Sequence, residues 1–231
     1  MRCLPLLLTL STIGTLFAQG TAGNSDQVDS KYLEDQFYVG LTYNFMLNKP
    51  EGVTQRSLSY GLMAGFIKDI PINLERTVAI GIGLGYAVNS YYSNMRASQT
   101  QEGGYQYSLL DGSIPFKRNK TETHLIEMPF EFRWRNSTPT TFKFWRVYTG
   151  IKLGYIVGSR SKFVANSYKD SFYNTDTQNF RYGLMFNFGY NTFNIHAYYA
   201  LNSLFEKGTL LSDGQQIESS PLRIGLIFYI L

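Results

Sequence analysis

Residues 78–90 read VAIGIGLGYAVNS. Val78, Ile80, Ile82, Leu84, Tyr86 and Val88 hold every second position, with Ala79, Gly81, Gly83, Gly85, Ala87 and Asn89 between them. Successive side chains of a β-strand point to opposite faces, so this alternation makes one apolar wall and one wall of small residues. A membrane helix is the competing reading, because residues 77–95 carry no charge and Gly81 and Gly85 stand at GxxxG spacing. But glycine recurs at every second position, and Asn89, Ser90 and Ser93 crowd one end, so the segment is a strand. It is not a dinucleotide-binding loop either, since Tyr86 stands where GIGLGY would need a third glycine.

The same period of two recurs on both sides of this segment. Before it come Phe37 to Phe45 and Leu58 to Phe66. After it come Ile126 to Trp134, Val147 to Val157, Phe180 to Tyr190, Phe193 to Tyr199 and Leu222 to Ile230. The total is eight strands of about 9–12 residues, the length that crosses a bilayer at a tilt. Pro129 falls inside the fourth strand, where a missing donor predicts a bulge or a local break in register. The connections alternate in length. They are short after strands two, four and six (69–76, 136–143, 191–192) and long after one, three, five and seven (47–57, 94–121, 159–178, 202–220). This asymmetry predicts an all-β fold: an eight-stranded antiparallel up-and-down β-barrel of outer-membrane type, with long loops outside and both termini on the periplasmic side.

The polar faces agree with this. Glu127, Glu131, Arg133, Arg146, Lys152, Arg181 and Arg223 all lie opposite the apolar rows. A charge facing lipid near the midplane costs about 2–4 kcal/mol, so these seven should point into the lumen, which side chains fill at this strand number. Two readings of them are open, a switchable plug and a hydrogen-bonded structural core that specifies the barrel, and the structural one is expected. Five basic residues against two acidic ones leave an excess for other polar groups or phosphates to offset. Tyrosines and Trp145 near strand ends fit interfacial girdles.

Composition excludes other classes. A chain of 231 residues allows one domain, two at most. A mean hydropathy of −0.18 excludes a bundle of membrane helices. An aromatic share of 16% is too high for a disordered chain. The net charge of +4 is modest and its longest basic block is FKRNK at 116–120, so nucleic acid is not an expected partner. That block stands in the longest loop, where it is either solvated or a contact for anionic lipopolysaccharide or a partner. Arg2 and the apolar residues 4–17 read as a secretory signal cleaved after Ala18, with a short periplasmic lead at 19–35 and the barrel at 36–231. Cys3 would leave with the signal, so the mature chain has neither disulfides nor thiolate metal sites; no cofactor is expected.

The final strand, RIGLIFYIL at 223–231, presents Arg223, Gly225, Phe228 and Ile230 in a pattern that resembles the C-terminal signal read by the barrel-assembly machinery. Leu231 departs from its usual aromatic ending. HLIEMPFEFRWR at 124–135 resembles the fourth strand of small outer-membrane barrels common in Bacteroidota. More narrowly, DQFYVGLTYNFMLNKPEGVTQ (35–55), FIKDIPIN (66–73) and AIGIGLGYAVN (79–89) resemble the PorT family, called SprT in gliding bacteria, over most of the chain from Asp35 onward. The resemblance implies a part in type IX secretion, which exports proteins across the outer membrane and supports gliding. It implies no catalytic residues.

Three function classes follow as expectations. The first is an accessory, non-enzymatic barrel of the secretion apparatus, contacting lipid, the barrel-assembly machinery and other secretion components. The second is a passive barrel: an adhesin, a membrane stabiliser or a small-ligand binder. The third is a lipid-A-modifying enzyme, which needs a nucleophile and a base in reach of each other. It would have to draw on His124, at the mouth of strand four, or His196, on the polar face of strand seven.

Overall fold

The computed structural model describes residues 35–55, 57–111, 115–137 and 143–230. The signal read at 1–18 and all but Asp35 of the lead lie outside the described residues. The strands are β1 (Asp35–Leu47), β2 (Tyr60–Pro71), β3 (Val78–Tyr92), β4 (Met95–Gln99), β5 (Tyr105–Leu109), β6 (Phe116–Arg135), β7 (Trp145–Ala165), β8 (Lys169–Tyr173), β9 (Phe180–Tyr190), β10 (Phe193–Ala200) and β11 (Ser220–Ile230). Eight of them form a ring in the order β6-β3-β2-β1-β11-β10-β9-β7, closed by antiparallel pairing of β6 with β7. The ring is an eight-stranded transmembrane barrel, and closure leaves it no free strand edge.

Burial alternates along the membrane-crossing parts of the ring strands, as in β9, where Arg181, Gly183, Met185, Asn187 and Gly189 are buried and Phe180, Tyr182, Leu184, Phe186, Phe188 and Tyr190 are exposed. The exposed row is the lipid-facing wall. At the end that carries the short turns, Trp145 lies 5.3 Å from the Phe188 ring and 4.9 Å from that of Tyr190, placing an aromatic group at the interface. The tightest turn joins Tyr190 to Phe193, which pair across Asn191 and Thr192. Asn191 has a φ of 55°, a left-handed conformation that asparagine tolerates better than most residues.

Two expectations are corrected here. The intervals 94–121 and 159–178 are largely not loop. β6 and β7 keep pairing from Arg135↔Arg146 out to Phe116↔Ala165, where β3 follows β6 only to Tyr92↔Lys120 and β9 leaves β7 at Tyr155↔Phe180. β8 adds to the outer part of β7, and β4 pairs with β5. Pairing with β7, and with β3 as far as Tyr92↔Lys120, holds the outer part of β6, so FKRNK at 116–120 is strand. Pro129 also behaves differently from its expectation. It pairs with Lys152 in unbroken register, and the β6–β7 irregularities fall at Phe116/Arg118 and His124/Leu125. On the β3 side the pairing passes from Ile82↔Phe130 to Gly85↔Glu127 in the same register, skipping two rows. The missing N–H costs local ladder bonds, while pairs on both sides hold the strand in place.

Candidate functional site: the barrel interior and its outer cap

β2 and β6 direct the first interior layer, at the end with the short turns. Asp69, on β2, accepts from Arg133 Nη1 at 2.9 Å and from Arg135 Nη2 at 2.6 Å. Arg133 also donates to Glu131 at 2.8 Å and to Gln36 at 3.1 Å, and its guanidinium lies 4.4 Å from the Tyr148 ring. Arg135 adds a bond to the Arg76 carbonyl at 2.7 Å. Arg146 lies over the Phe144 ring at 4.6 Å and the Tyr229 ring at 5.8 Å.

The second layer lies nearer the middle. Glu127 accepts from Arg223 Nη2 at 2.8 Å, and its other oxygen is 3.3 Å from Lys152 Nζ. Arg223 reaches Asn89 at 3.3 Å and lies over Tyr198 at 4.0 Å. Arg181 donates to the carbonyl oxygens of Ser203 and, at 2.7 Å, Leu204. His196 Nδ1 lies 2.5 Å from Asn187 Oδ1, and Asn187 donates to the Tyr229 hydroxyl at 3.1 Å.

All seven charged residues read from the sequence are buried in the lumen, and the structure adds Asp69 and Arg135, which that reading missed and which bridge to Arg133. Both continue a period of two already visible, Asp69 from Ile67 and Arg135 from Arg133, so extending each strand by one row would have found them. Among the described residues the layers hold six cations (Arg133, Arg135, Arg146, Lys152, Arg181, Arg223) and three carboxylates (Asp69, Glu127, Glu131). Backbone carbonyls at Arg181 and aromatic faces at Arg133, Arg146 and Arg223 supply the offset, through bond dipoles and cation–π contact.

Above these layers the four long connections build an apolar cap. Met46 and Tyr91 at the strand ends pack with Val53, Met95, Ala97, Tyr107, Phe172, Leu204, Phe205, Leu211 and Ile217. Backbone bonds tie the loops together: Asn94 N to Thr54 O at 3.0 Å, Ser212 N to Tyr107 O at 2.7 Å and Glu206 N to Asp176 O at 2.8 Å. Between cap and charged layers lies a cavity of about 10 Å³ lined by Tyr91, Arg181, Tyr198, Leu204 and Arg223. That is roughly the space of one water. The long loops are a second small core, which their irregular spacing conceals from sequence patterning.

Tyr107 anchors the cap. It is 1% exposed, receives a bond from Asn174 Nδ2 at 2.9 Å and donates to Asp176 at 3.2 Å. Burial pushes its hydroxyl pKa well up, which keeps it a donor. Tyr107→Ala is expected to cost the cap about 3–5 kcal/mol, the range for truncating a buried aromatic residue. Limited proteolysis should then cut the loops at least tenfold faster, while the barrel keeps its heat-dependent gel mobility.

The two histidines face opposite sides of the wall. His124 is outside, with Nδ1 2.6 Å from the Tyr86 hydroxyl and Nε2 3.8 Å from Glu122; His196 is fully buried inside. They do not form one site.

A family model described as an outer membrane protein beta-barrel domain matches residues 17–206. No curated protein matches. Among solved structures the chain is similar to Ail, the attachment invasion locus protein of Yersinia pestis. That likeness has 12% identity, covers 84% of this chain and 98% of that chain, and has a TM-score of 0.35.

Proposed function

We propose, from the premise that this chain belongs to the outer membrane protein beta-barrel domain family, that it serves as a non-enzymatic accessory component of type IX secretion, and through it of gliding. Its place is the outer membrane, where the strands cross and the apolar wall meets lipid. The observation that carries the reading is the filled interior. A lumen occupied by Arg133, Arg223, Lys152 and their partners under a packed cap gives cargo no path. Work for a secretion apparatus is then done by outer surfaces, as assembly or scaffolding. The sequence resemblance of 35–55, 66–73 and 79–89 supplies the choice of apparatus. In this reading β11, which seals the ring against β1 from Phe37↔Ile230 to Leu47↔Ser220, carries the barrel-assembly signal at Arg223, Gly225, Phe228 and Ile230. Other secretion components are the partners.

The ordered cap favours a second reading, a passive adhesive or membrane-stabilising barrel, because four loops sharing one core present a fixed outer surface. One experiment separates the two. In a deletion strain, cargo with type IX sorting domains should disappear from the medium and accumulate or be degraded in the periplasm. An unchanged secretome gives the passive reading. The absence of enzymatic activity is tested separately: His124→Ala and His196→Ala should leave envelope lipid and secretion unaltered.

A further inference from the structure

The outward face of the β6–β7–β8 ribbon changes character at His124. On the lipid side of that point it shows Ile126, Met128, Phe132 and Trp134 on β6, with Tyr155 and Val157 on β7. Beyond it the same face shows Glu122, Lys120 and Arg118 on β6. Opposite these stand Arg160, Lys162 and Val164 on β7, and Lys169, Ser171 and Tyr173 on β8. The pairings Glu122↔Arg160, Lys120↔Lys162, Arg118↔Val164 and Val164↔Lys169 bring five cations and one carboxylate onto one surface. That carboxylate is engaged: Glu122 pairs with Lys120 and accepts from Ser90 at 2.8 Å. Arg118, Lys162 and Lys169 have no ion-pair partner among the described residues. Partial desolvation and the repulsion of Lys169, Arg118 and Lys120 hold the Lys162 ammonium below the usual lysine range, so the four cations crowd one another.

The height of this patch points to what it meets. At about 3.3 Å per residue and a tilt of about 40°, each two-residue step rises about 5 Å, so Glu122, Lys120 and Arg118 stand roughly 5, 10 and 15 Å above His124. That is the level of lipid headgroups next to the apolar band, on the side of the long loops.

We propose that this face, through Arg118, Arg160, Lys162 and Lys169, binds the phosphate groups of the phosphorylated glycolipid of the outer leaflet. Uncompensated ammonium and guanidinium groups at headgroup depth complement phosphates, and the two-strand spacing lets cations from β6, β7 and β8 converge on one headgroup. The inference rests on the outer-membrane location and stands or falls apart from the role in secretion.

The test uses the full mature chain folded in a neutral detergent and titrated with bis-phosphorylated lipid A, with dephosphorylated lipid A, and with inorganic phosphate. The wild type should bind the phosphorylated lipid at least tenfold more tightly than the dephosphorylated one. Lys162→Glu with Lys169→Glu should abolish that preference while keeping the heat-dependent gel shift, and Lys162→Arg with Lys169→Arg should retain it. If the charge-reversed protein fails to fold, Arg118→Gln with Lys169→Gln takes its place. Equal binding of both lipids, an unchanged preference in a folded charge-removing variant, or inorganic phosphate binding as tightly as lipid A would each overturn the proposal.

Discussion

Glu127→Ala should destabilise the barrel by about 3–5 kcal/mol, the cost of breaking a buried ion pair from one side. The reason is what it strands. Glu127, Lys152 and Arg223 are all nearly inaccessible, and the carboxylate is 2.8 Å from one cation and 3.3 Å from the other. Removing it leaves two unneutralised cations side by side, with Arg181 in the same layer. Burial also shields the interaction from salt, so the loss should persist at high ionic strength. Urea unfolding in micelles, followed by gel mobility and by the fluorescence of Trp134 and Trp145, measures it. Glu127→Ala with Lys152→Met should recover part of the loss, because one stranded charge goes. The exposed pair Lys68–Asp35, 3.6 Å apart with side chains 60% and 57% exposed, is the contrast: Lys68→Ala should cost no more than about 1 kcal/mol. An unchanged unfolding midpoint for Glu127→Ala would show that the ion pairs do not hold the interior together.

Gly150→Ala is the second large effect, through backbone and not charge. A Cβ at Gly150 would lie 1.9 Å from the Phe130 carbonyl oxygen and 3.0 Å from Glu131 Cα. Those atoms belong to β6, so relief requires separating β6 from β7 where the two strands pair. The position tolerates only glycine because two backbones approach there. We expect a loss of about 3 kcal/mol or more, at the upper end of overpacking costs, with a reduced yield of folded barrel on a semi-native gel. Gly158→Ala, in the same strand, is the control. Its Cβ would meet His124 atoms only at 3.9 and 4.0 Å, an ordinary contact, and its stability should lie within about 0.5 kcal/mol of wild type. Equal behaviour of the two variants would mean that the β6–β7 pairing gives way easily.

Both effects concern features that the sequence disclosed to different degrees. The inward orientation of Glu127, Lys152 and Arg223 was legible, because side-chain direction in a strand is a local property repeated every two residues. Which carboxylate meets which cation was not legible. Glu127 and Arg223 are 96 positions apart, and their meeting depends on ring closure and register. Gly150 and Gly158 look alike in the chain, yet one faces a carbonyl on the next strand and the other faces space.

From the sequence alone came the eight crossings, the apolar wall, the polar lumen and the side of the long loops, since period and spacing are written along the chain. The tertiary structure alone decided the Asp69–Arg133–Arg135 bridge, the extended β6–β7 ribbon with its row of cations, and the apolar cap built around Tyr107. Each of these joins residues through strand pairing or loop packing at long separation, and an alternation read along one strand holds no information about which strand stands beside it.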